Sequence, residues 1–297
     1  MKLEKVFFET QDGLELCGLL HEPDEKSKEI VIAVHGMQSN CLKKRDDYIA
    51  RKVTNENISY FCFSNRGHEI VNSINKNIDG KNLKIMCGTS IENIEDSYYD
   101  IKAAIEIMKK RGYTKINLQG HSLGCTKIVY TYNKMINENE SEIINSIKSI
   151  ILLSMVDIPN ALGFFFDNNK EELIKFMENK KEEGLGDVAI FKPGSILPMS
   201  PNTFLRYMKD NKEIDFARFS DLNYEFEKLN SIKVPLFMRW GNNNELILQD
   251  ASELVENLKK KIKNEKADIN YIDGAGHNYK GKEEILSEEI LSFIKNI

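Results

Sequence analysis

The sequence predicts an α/β protein with a doubly wound, mostly parallel sheet and an inserted helical cap. Three observations support this fold class. Continuous apolar runs of strand length recur along the chain, helical patterns lie between them, and the alternation stops between about residues 158 and 231. Runs without polar alternation are typical of parallel strands buried on both faces. Strands that alternate with helices imply right-handed crossovers and therefore a doubly wound sheet.

The strands are predicted from runs rich in β-branched and aromatic residues. Two runs, Val6–Phe8 and Leu14–Leu20, flank the turn residues Gln11–Gly13 and predict an opening β-hairpin. The parallel strands are predicted at Ile30–Val34, Ser59–Phe63, Ile116–Gln119, Ile150–Leu153 and Leu236–Trp240, with Ile269–Ile272 as a weaker sixth.

The longest helical pattern runs from Ile91 to Lys110, with apolar residues at steps of three and four, and Gly112 ends it. Residues 158–231 contain helical pieces instead of a central strand, so we predict a helical cap there and a core formed by residues 1–157 and 232–297. The apolar run Ala161–Phe166 either lines a substrate cleft or packs the cap onto the core.

Composition excludes several classes of protein. The 297 residues carry a formal net charge of −5, which argues against a nucleic-acid partner. No segment approaches the roughly 18 apolar residues of a membrane span, and the N-terminal sequence lacks the pattern of a secretory signal. The five cysteines are scattered, which favours reduced thiols over a disulfide framework. We therefore expect a cytoplasmic protein.

The strongest motif is Gly120-His121-Ser122-Leu123-Gly124, which follows a predicted strand and precedes a predicted helix. A serine on such a sharp turn is held clear of the sheet, and glycines are needed where side chains would clash with the strand and helix. The helix N-terminus also favours developing negative charge near Ser122. A tight turn that merely prefers small residues would not explain the other motifs, so we predict Ser122 as a nucleophile.

Backbone donors for an oxyanion are predicted from the segment His35-Gly36-Met37. It follows the Ile30–Val34 strand at the edge where open α/β sheets bind ligands. We predict the N–H groups of Met37 and Leu123 as the oxyanion hole, in which each donor lowers a barrier by roughly 3 kcal/mol. His35 is expected to brace the loop.

The general base is predicted to be His277, in the segment Gly274-Ala275-Gly276-His277 after the last predicted strand. Of the five histidines, it alone lies C-terminal to both the nucleophile and that strand. The order nucleophile, acid, histidine is typical of this arrangement. His121, next to the nucleophile, is expected to have a packing role.

These motifs resemble the α/β-hydrolase superfamily over nearly the whole chain. Besides the serine motif, Asn65-Arg66-Gly67-His68 is similar to the D-x-R-G-H-G segment of many lipases and esterases, with Asn65 as a departure. Within the superfamily the chain resembles esterase or lipase-like members with a helical cap, among them the group related to fungal siderophore esterases. The resemblance implies a serine esterase.

The resemblance also implies an acid in a G-x-x-D segment after the Leu236–Trp240 strand, but Asn244 occupies the aspartate position. An amide cannot stabilise an imidazolium as a carboxylate does. Glu245, one residue later, is the first candidate. Asp157 is the second, because some members place the acid after the preceding strand. Asn244 itself in this role, or no acid at all, remain alternatives, and Glu245 is otherwise a solvated charge and Asp157 a turn cap.

The predicted reaction is hydrolysis of a carboxylic ester, or a thioester, of a small apolar or aryl substrate through an acyl-enzyme. Two other functions stay open: a non-catalytic binding protein, and an acyltransferase or C–C bond hydrolase. No metal or nucleotide cofactor is expected, because the spacings of zinc, calcium and phosphate-binding motifs are missing from the sequence. The expected partner is a small-molecule ester, and a homodimer stays open.

Overall fold

A computed structural model of the chain describes residues 1–166, 169–192, 195–208, 214, 217–221 and 223–297. Strands of the described residues form one large sheet and one separate hairpin. In chain order the strands are β1 (Lys2–Glu9), β2 (Glu15–Glu22), β3 (Glu29–Val34), β4 (Ser59–Ser64), β5 (Asn72–Ile78), β6 (Lys81–Cys87), β7 (Lys115–His121), β8 (Ile147–Leu153), β9 (Leu236–Gly241) and β10 (Ala267–Ile272).

The large sheet has the strand order β1-β2-β4-β3-β7-β8-β9-β10 in the described residues. The β1–β2 hairpin is antiparallel and joins β4 in antiparallel fashion, whereas every pair from β4 to β10 is parallel. Val34 of β3 is opposite Gly120 of β7, and Gly120 is opposite Leu152 of β8. The carboxyl ends of the central strands therefore meet at one edge of the sheet, where open α/β sheets bind ligands.

Helices cover both faces of the sheet. They are α1 (Lys44–Thr54), α2 (Ser97–Lys110), α3 (Leu123–Asn137), α4 (Ser141–Ile144), α5 (Ile158–Ala161), α6 (Lys170–Lys180), α7 (Pro201–Met208), α8 (Glu227–Asn230), α9 (Ala251–Lys261) and α10 (Glu283–Lys295). Apolar residues of α2, α3 and α9 share one core cluster with one face of the sheet. Those of α1 and α10 form a second cluster on the other face. The predicted doubly wound, mostly parallel fold is confirmed.

The hairpin of β5 and β6 was not predicted. Its residues are mostly exposed and polar, and Ile74 and Cys87 are the buried positions of its two strands. This leaves little of the apolar alternation by which a strand is recognised. The long predicted helix is also shorter than expected, because a 3₁₀ turn at Ile94–Asp96 precedes α2.

In the described part of residues 158–231 the regular elements are the helices α5 to α8 and short helical turns, with turns and loops between them and a bridge between Ile190 and Met199. Pro193, one of the prolines of this segment, lies outside the described residues. The division into a core and a cap stays a prediction. Each helix of the described chain is too short or too polar to cross a lipid bilayer.

Candidate active site

A cavity of about 420 Å³ opens at the carboxyl edge of the sheet, between β3, β7 and the loop after β10. Ser122 and His277 both line it, and so do Met37 and Leu123. The four residues that sequence analysis predicted as nucleophile, base and oxyanion donors therefore surround one space. The chemistry that this cavity supports depends on the geometry of these four residues.

Ser122 lies between β7 and α3 with a left-handed backbone, φ 55° and ψ −125°. Few non-glycine residues adopt such angles, which cost roughly 1–3 kcal/mol and cluster at functional sites. The flanking glycines permit the turn. A Cβ on Gly124 would lie 2.3 Å from the Val34 carbonyl oxygen, and one on Gly120 would lie 2.7 Å from the Cys125 backbone. The turn therefore requires glycine at both positions.

Gly36 brings the loop after β3 against Ser122. A Cβ at this position would lie 2.8 Å from the Cβ of Ser122 and 2.9 Å from the carbonyl oxygen of His121. The next residue, Met37, lines the cavity together with Leu123, the first residue of α3. First-turn amides of a helix have no partner within the helix, so the Leu123 N–H is able to serve an external acceptor.

The imidazole of His277 is held by a carboxylate. Its Nδ1 makes a short hydrogen bond with Oε1 of Glu245. The carboxylate is 2% exposed and the imidazole is 14% exposed. Because Nδ1 donates its proton to Glu245, Nε2 is left as the basic nitrogen. This is the tautomer that a general base needs.

Glu245 is fixed by further donors. Its Oε2 accepts from the Ser154 hydroxyl at 2.7 Å and from the Gly241 N–H at 3.1 Å, and Oε1 accepts from the Leu246 N–H at 3.0 Å. Burial by itself raises the pKa of Glu245, but the hydrogen bond and charge of His277, together with these donors, lower it below its usual value of 4.5. The carboxylate is therefore ionised at neutral pH.

Asn244, at the position where the superfamily carries aspartate, makes no hydrogen bond with His277 in the described residues. It is exposed and has a left-handed backbone with φ 53°. The next residue, Glu245, has a side chain one methylene longer than aspartate, and its carboxylate contacts His277. The structure thus brings Glu245 to His277.

Asp157 has a different environment. Its carboxylate caps α5, accepting from the backbone N–H of Asn160 at 3.2 Å and from its side chain at 2.7 Å. The Ser220 hydroxyl donates to it as well, at 3.1 Å. Burial raises the pKa of Asp157, against these hydrogen bonds. The structure therefore gives Asp157 the surroundings of a turn cap and does not bring it to His277.

His121 has a contact that sequence analysis missed. Its Nε2 donates to the backbone carbonyl of His277 at 2.7 Å, and the two rings lie 4.9 Å apart between centroids. Burial is the main cause that holds the pKa of His121 well below 6.5, and the charges of Arg45 and His277 lower it further. A neutral His121 thus positions the histidine loop. The adjacency of His121 and Ser122 in sequence was the one available signal.

His35 joins two loops, as expected of a bracing residue. Its Nε2 accepts from the Asn65 N–H at 3.1 Å, and its Nδ1 lies 2.8 Å from the Gly36 carbonyl oxygen. Burial and the charge of Lys127 hold the pKa of His35 well below 6.5. It is therefore neutral and connects the loop after β3 to the loop after β4.

The acid loop after β9 and the histidine loop after β10 touch along their backbones. A Cβ on Gly241 would lie 2.0 Å from the Ala275 carbonyl oxygen, and the Asn243 N–H donates to the same oxygen at 2.9 Å. The Asn242 side chain accepts from the Gly274 N–H at 2.7 Å. We call these two segments, residues 241–245 and 273–277, the acid–base clamp. They fix the distance between carboxylate and imidazole.

An ion pair beside the site joins α3 to the 158–231 segment. Lys127 Nζ lies 2.6 Å from Glu92 Oε2, and both side chains are 1% exposed. The Tyr207 hydroxyl of α7 donates to Glu92 Oε1 at 3.1 Å, and the Thr203 hydroxyl donates to the Glu92 carbonyl at 3.0 Å. The helix that begins after Ser122 is thereby connected, through Glu92, to α7.

The motif Asn65-Arg66-Gly67-His68 has a structural role in the described chain. Arg66 pairs with Asp100 at 2.7 Å and with Asp12 at 2.9 Å. The Asn65 side chain accepts from the Gly67 N–H and from Lys127. The motif thus orders the loop after β4 and contacts the buried ion pair.

The side chains that line the cavity from the segments after β8 and β9 are apolar, and we call them the apolar wall. They are Val156, Ile158, Ala161, Leu162, Phe165 and Leu246. Phe166 points elsewhere and packs edge-to-face on Phe204 at 5.5 Å. The run Ala161–Phe166 thus both lines the cavity and packs against α7. No group of three or more metal-ligating side chains occurs among the residues that the structure describes.

Comparison with solved structures gives the fold. The chain is similar to Est1E from Butyrivibrio proteoclasticus with bound ferulic acid (TM-score 0.65, 16% identity, 98% of each chain covered). It is also similar to the esterase Pf2001 from Pyrococcus furiosus (TM-score 0.60, 19% identity, 99% of this chain and 92% of that chain). The α/β hydrolase GrgF from Penicillium sp. sh18 has a TM-score of 0.63 at 14% identity, with 100% and 99% covered. These likenesses show an α/β-hydrolase fold.

A search of curated protein sequences gave no significant match. A family model does match: lecithin:cholesterol acyltransferase, over residues 89–295, which is more than two thirds of the 297 residues. The predicted superfamily is confirmed, and the narrower resemblance to fungal siderophore esterases stays a prediction. The matched region contains Ser122, Glu245 and His277. The chain therefore belongs to the lecithin:cholesterol acyltransferase family and is a carboxylic ester hydrolase with the α/β-hydrolase fold.

Proposed function

We propose that the protein hydrolyses a carboxylic ester or thioester of a small apolar or aryl substrate through an acyl-enzyme on Ser122. The hydrogen bond between Glu245 and His277 carries this proposal. In this contact a buried, ionised carboxylate fixes the tautomer of a histidine, and the histidine lines the same cavity as a serine with a strained backbone. A non-catalytic binding protein has no need for such an arrangement.

In the first half of the reaction, His277 Nε2 takes the proton of the Ser122 hydroxyl as Oγ attacks the ester carbonyl. The N–H groups of Met37 and Leu123 donate to the resulting oxyanion. His277 returns the proton to the departing alcohol, or to the thiolate if the substrate is a thioester. Glu245 stabilises the imidazolium throughout and stays ionised.

In the second half, His277 removes a proton from water, which attacks the acyl-enzyme carbonyl. The acid product leaves as the proton returns to Ser122 Oγ. The apolar wall of Ile158, Leu162, Phe165 and Leu246 fits the apolar or aryl part of the substrate. A cavity of about 420 Å³ holds a small ester.

A fluorophosphonate probe tests the nucleophile. Wild-type protein is expected to be labelled and Ser122→Ala is not, with folding of the variant checked by circular dichroism. Absence of labelling on folded wild type would contradict the proposal. A panel of 4-nitrophenyl esters of increasing acyl length then measures kcat/KM and identifies the acyl chain that fits the apolar wall.

Acyl transfer is a second candidate, because the matching family model is described as an acyltransferase. The same acyl-enzyme would then react with an alcohol in place of water. Product analysis in the presence of competing alcohols distinguishes the two. The measured quantity is the ratio of the new ester to the free acid among the products. A ratio that exceeds the molar ratio of alcohol to water by orders of magnitude indicates transfer, and a ratio near that molar ratio indicates hydrolysis.

A further inference from the structure

The catalytic cavity has two chemically different walls. The segment between β3 and α1 contributes Gln38, Ser39 and Lys43 to the lining. In the sheet β3 lies on one side of β7, whereas β8 and β9, which precede the apolar wall, lie on the other. An ester placed with its carbonyl at Ser122 has two ends, one on each side of the reacting carbon. A substrate that fits this cavity would therefore be apolar at one end and polar at the other.

Lys43 carries a positive charge that the described residues leave without a counter-charge. Among the residues that line the cavity in the described chain, none is acidic, and Lys43 is the one lysine or arginine. It has no ion-pair partner in the described residues. It occupies the N-cap of α1 without a capping hydrogen bond from its side chain. The neighbouring Lys44, in contrast, pairs with Glu283 at 3.3 Å.

The backbone that carries Lys43 is held in place. Its carbonyl accepts from the Asp47 N–H at 3.1 Å, which starts α1. The Ser39 carbonyl accepts from the Glu69 N–H at 3.0 Å, and the Gln38 N–H donates to the Thr89 hydroxyl at 3.3 Å. The half-buried residue Lys43 therefore lines the cavity from an ordered segment of backbone, so that no loop has to be ordered when a ligand binds.

We propose that Lys43 is an anion subsite and that the preferred ester carries a carboxylate or phosphate group at the end opposite its apolar part. This inference rests on the proposed esterase function and adds a substrate class to it. An unpaired ammonium at the edge of an apolar cavity attracts an anion more strongly than one in open water, because the local dielectric constant is lower. Hydrogen bonds to a charged group are also the stronger kind.

Two matched pairs of esters test the subsite on either side of the carbonyl. One pair is 4-nitrophenyl butyrate and the mono-4-nitrophenyl ester of glutaric acid, which differ by a carboxylate on the acyl group. The other pair is phenyl butyrate and 4-carboxyphenyl butyrate, which differ on the leaving group. The measurement is kcat/KM for wild type, Lys43→Gln and Lys43→Arg, with Lys44→Gln as the matched control.

For the charged member of at least one pair, Lys43→Gln is expected to lose at least about tenfold in kcat/KM, the lower end for a hydrogen bond to a charged group. The neutral esters should change little, Lys43→Arg should restore most of the loss, and Lys44→Gln should behave as wild type. Equal losses on charged and neutral esters, or no loss on either charged ester, would overturn the proposal.

Binding separates this inference from the proposed function. Dissociation constants of the same four esters are measured on Ser122→Ala and on Ser122→Ala with Lys43→Gln, where turnover plays no part. Weaker binding of a charged ester by at least about tenfold in the second protein supports the subsite even if wild type cleaves none of the four. Identical constants reject the subsite even if the wild type is an active esterase.

Discussion

The hydroxyl of Ser154 donates a hydrogen bond of 2.7 Å to Oε2 of Glu245, the carboxylate that contacts His277. Ser154 itself has a left-handed backbone with φ 47° at the end of β8, and its oxygen lies 3.0 Å from the Tyr279 hydroxyl. The Glu245 carboxylate is thus oriented from the end of β8, while its backbone belongs to the loop after β9. Glu245 is immobilised by groups from two neighbouring strands.

Glu245→Gln is expected to lower kcat for a short 4-nitrophenyl ester by about two orders of magnitude or more, because an amide favours the wrong tautomer of His277. Asp157→Asn should have a much smaller effect, since that carboxylate caps α5. Steady-state kinetics on both variants provides the measurement. A larger loss for Asp157→Asn would transfer the role of acid to that residue.

The stability of the protein should depend on the ionisation of Glu245. Its pKa in the folded protein is below 4.5, so the ionised group stabilises the fold above about pH 4.5, and this contribution is lost as the pH falls through the folded value. Urea unfolding of wild type and Glu245→Gln at about pH 7 and about pH 3 measures it. The difference in unfolding free energy should shrink at the lower pH. A constant difference would contradict the lowered pKa.

Gly36→Ala is expected to reduce kcat by about tenfold or more while the protein stays folded. The added Cβ would lie 2.8 Å from the Cβ of Ser122, so the nucleophile or the loop that carries Met37 has to shift. Gly186→Ala is the matched control, because its Cβ would meet the flexible side chain of Asn202. The test is kcat together with Tm for both variants. Equal kcat values would show that the close contact does not matter to catalysis.

Glu92→Gln is expected to destabilise the protein by about 3 kcal/mol, because it removes the counter-charge of a buried lysine. The double variant Glu92→Gln with Lys127→Met should recover part of that loss, since no charge then remains buried. Both values come from urea unfolding. If the double variant is less stable than Glu92→Gln alone, the ion pair has a different energetic role.

Much of the fold could be predicted because a parallel sheet imposes a strong pattern. Strands buried on both faces read as continuous apolar runs, and the six predicted parallel strands correspond to β3, β4, β7, β8, β9 and β10. The hairpin of β5 and β6 escaped prediction because it has few buried side chains. Its strands are defined by backbone pairing, which sequence periodicity does not record.

The order of the site residues along the chain could be predicted from the sequence, but the contacts between their side chains could not. A serine between a strand and a helix, and a histidine after the last strand, follow from topology alone. The choice between Glu245 and Asp157 depended on the left-handed turn at Asn244, a backbone angle that one residue type does not determine. The contact of His121 with the His277 carbonyl depends on a long-range approach of two loops, for which the sequence contains no pattern.

The acid–base clamp has a consequence for how this protein can change. Because Gly241 packs on the Ala275 carbonyl and Asn242 binds the Gly274 N–H, carboxylate and imidazole are assembled as a single unit at one end of the sheet. Many of the other side chains that line the cavity lie on different segments, after β3 and in residues 158–165. Substitutions in those lining segments can therefore reshape the cavity without disturbing the contact between Glu245 and His277.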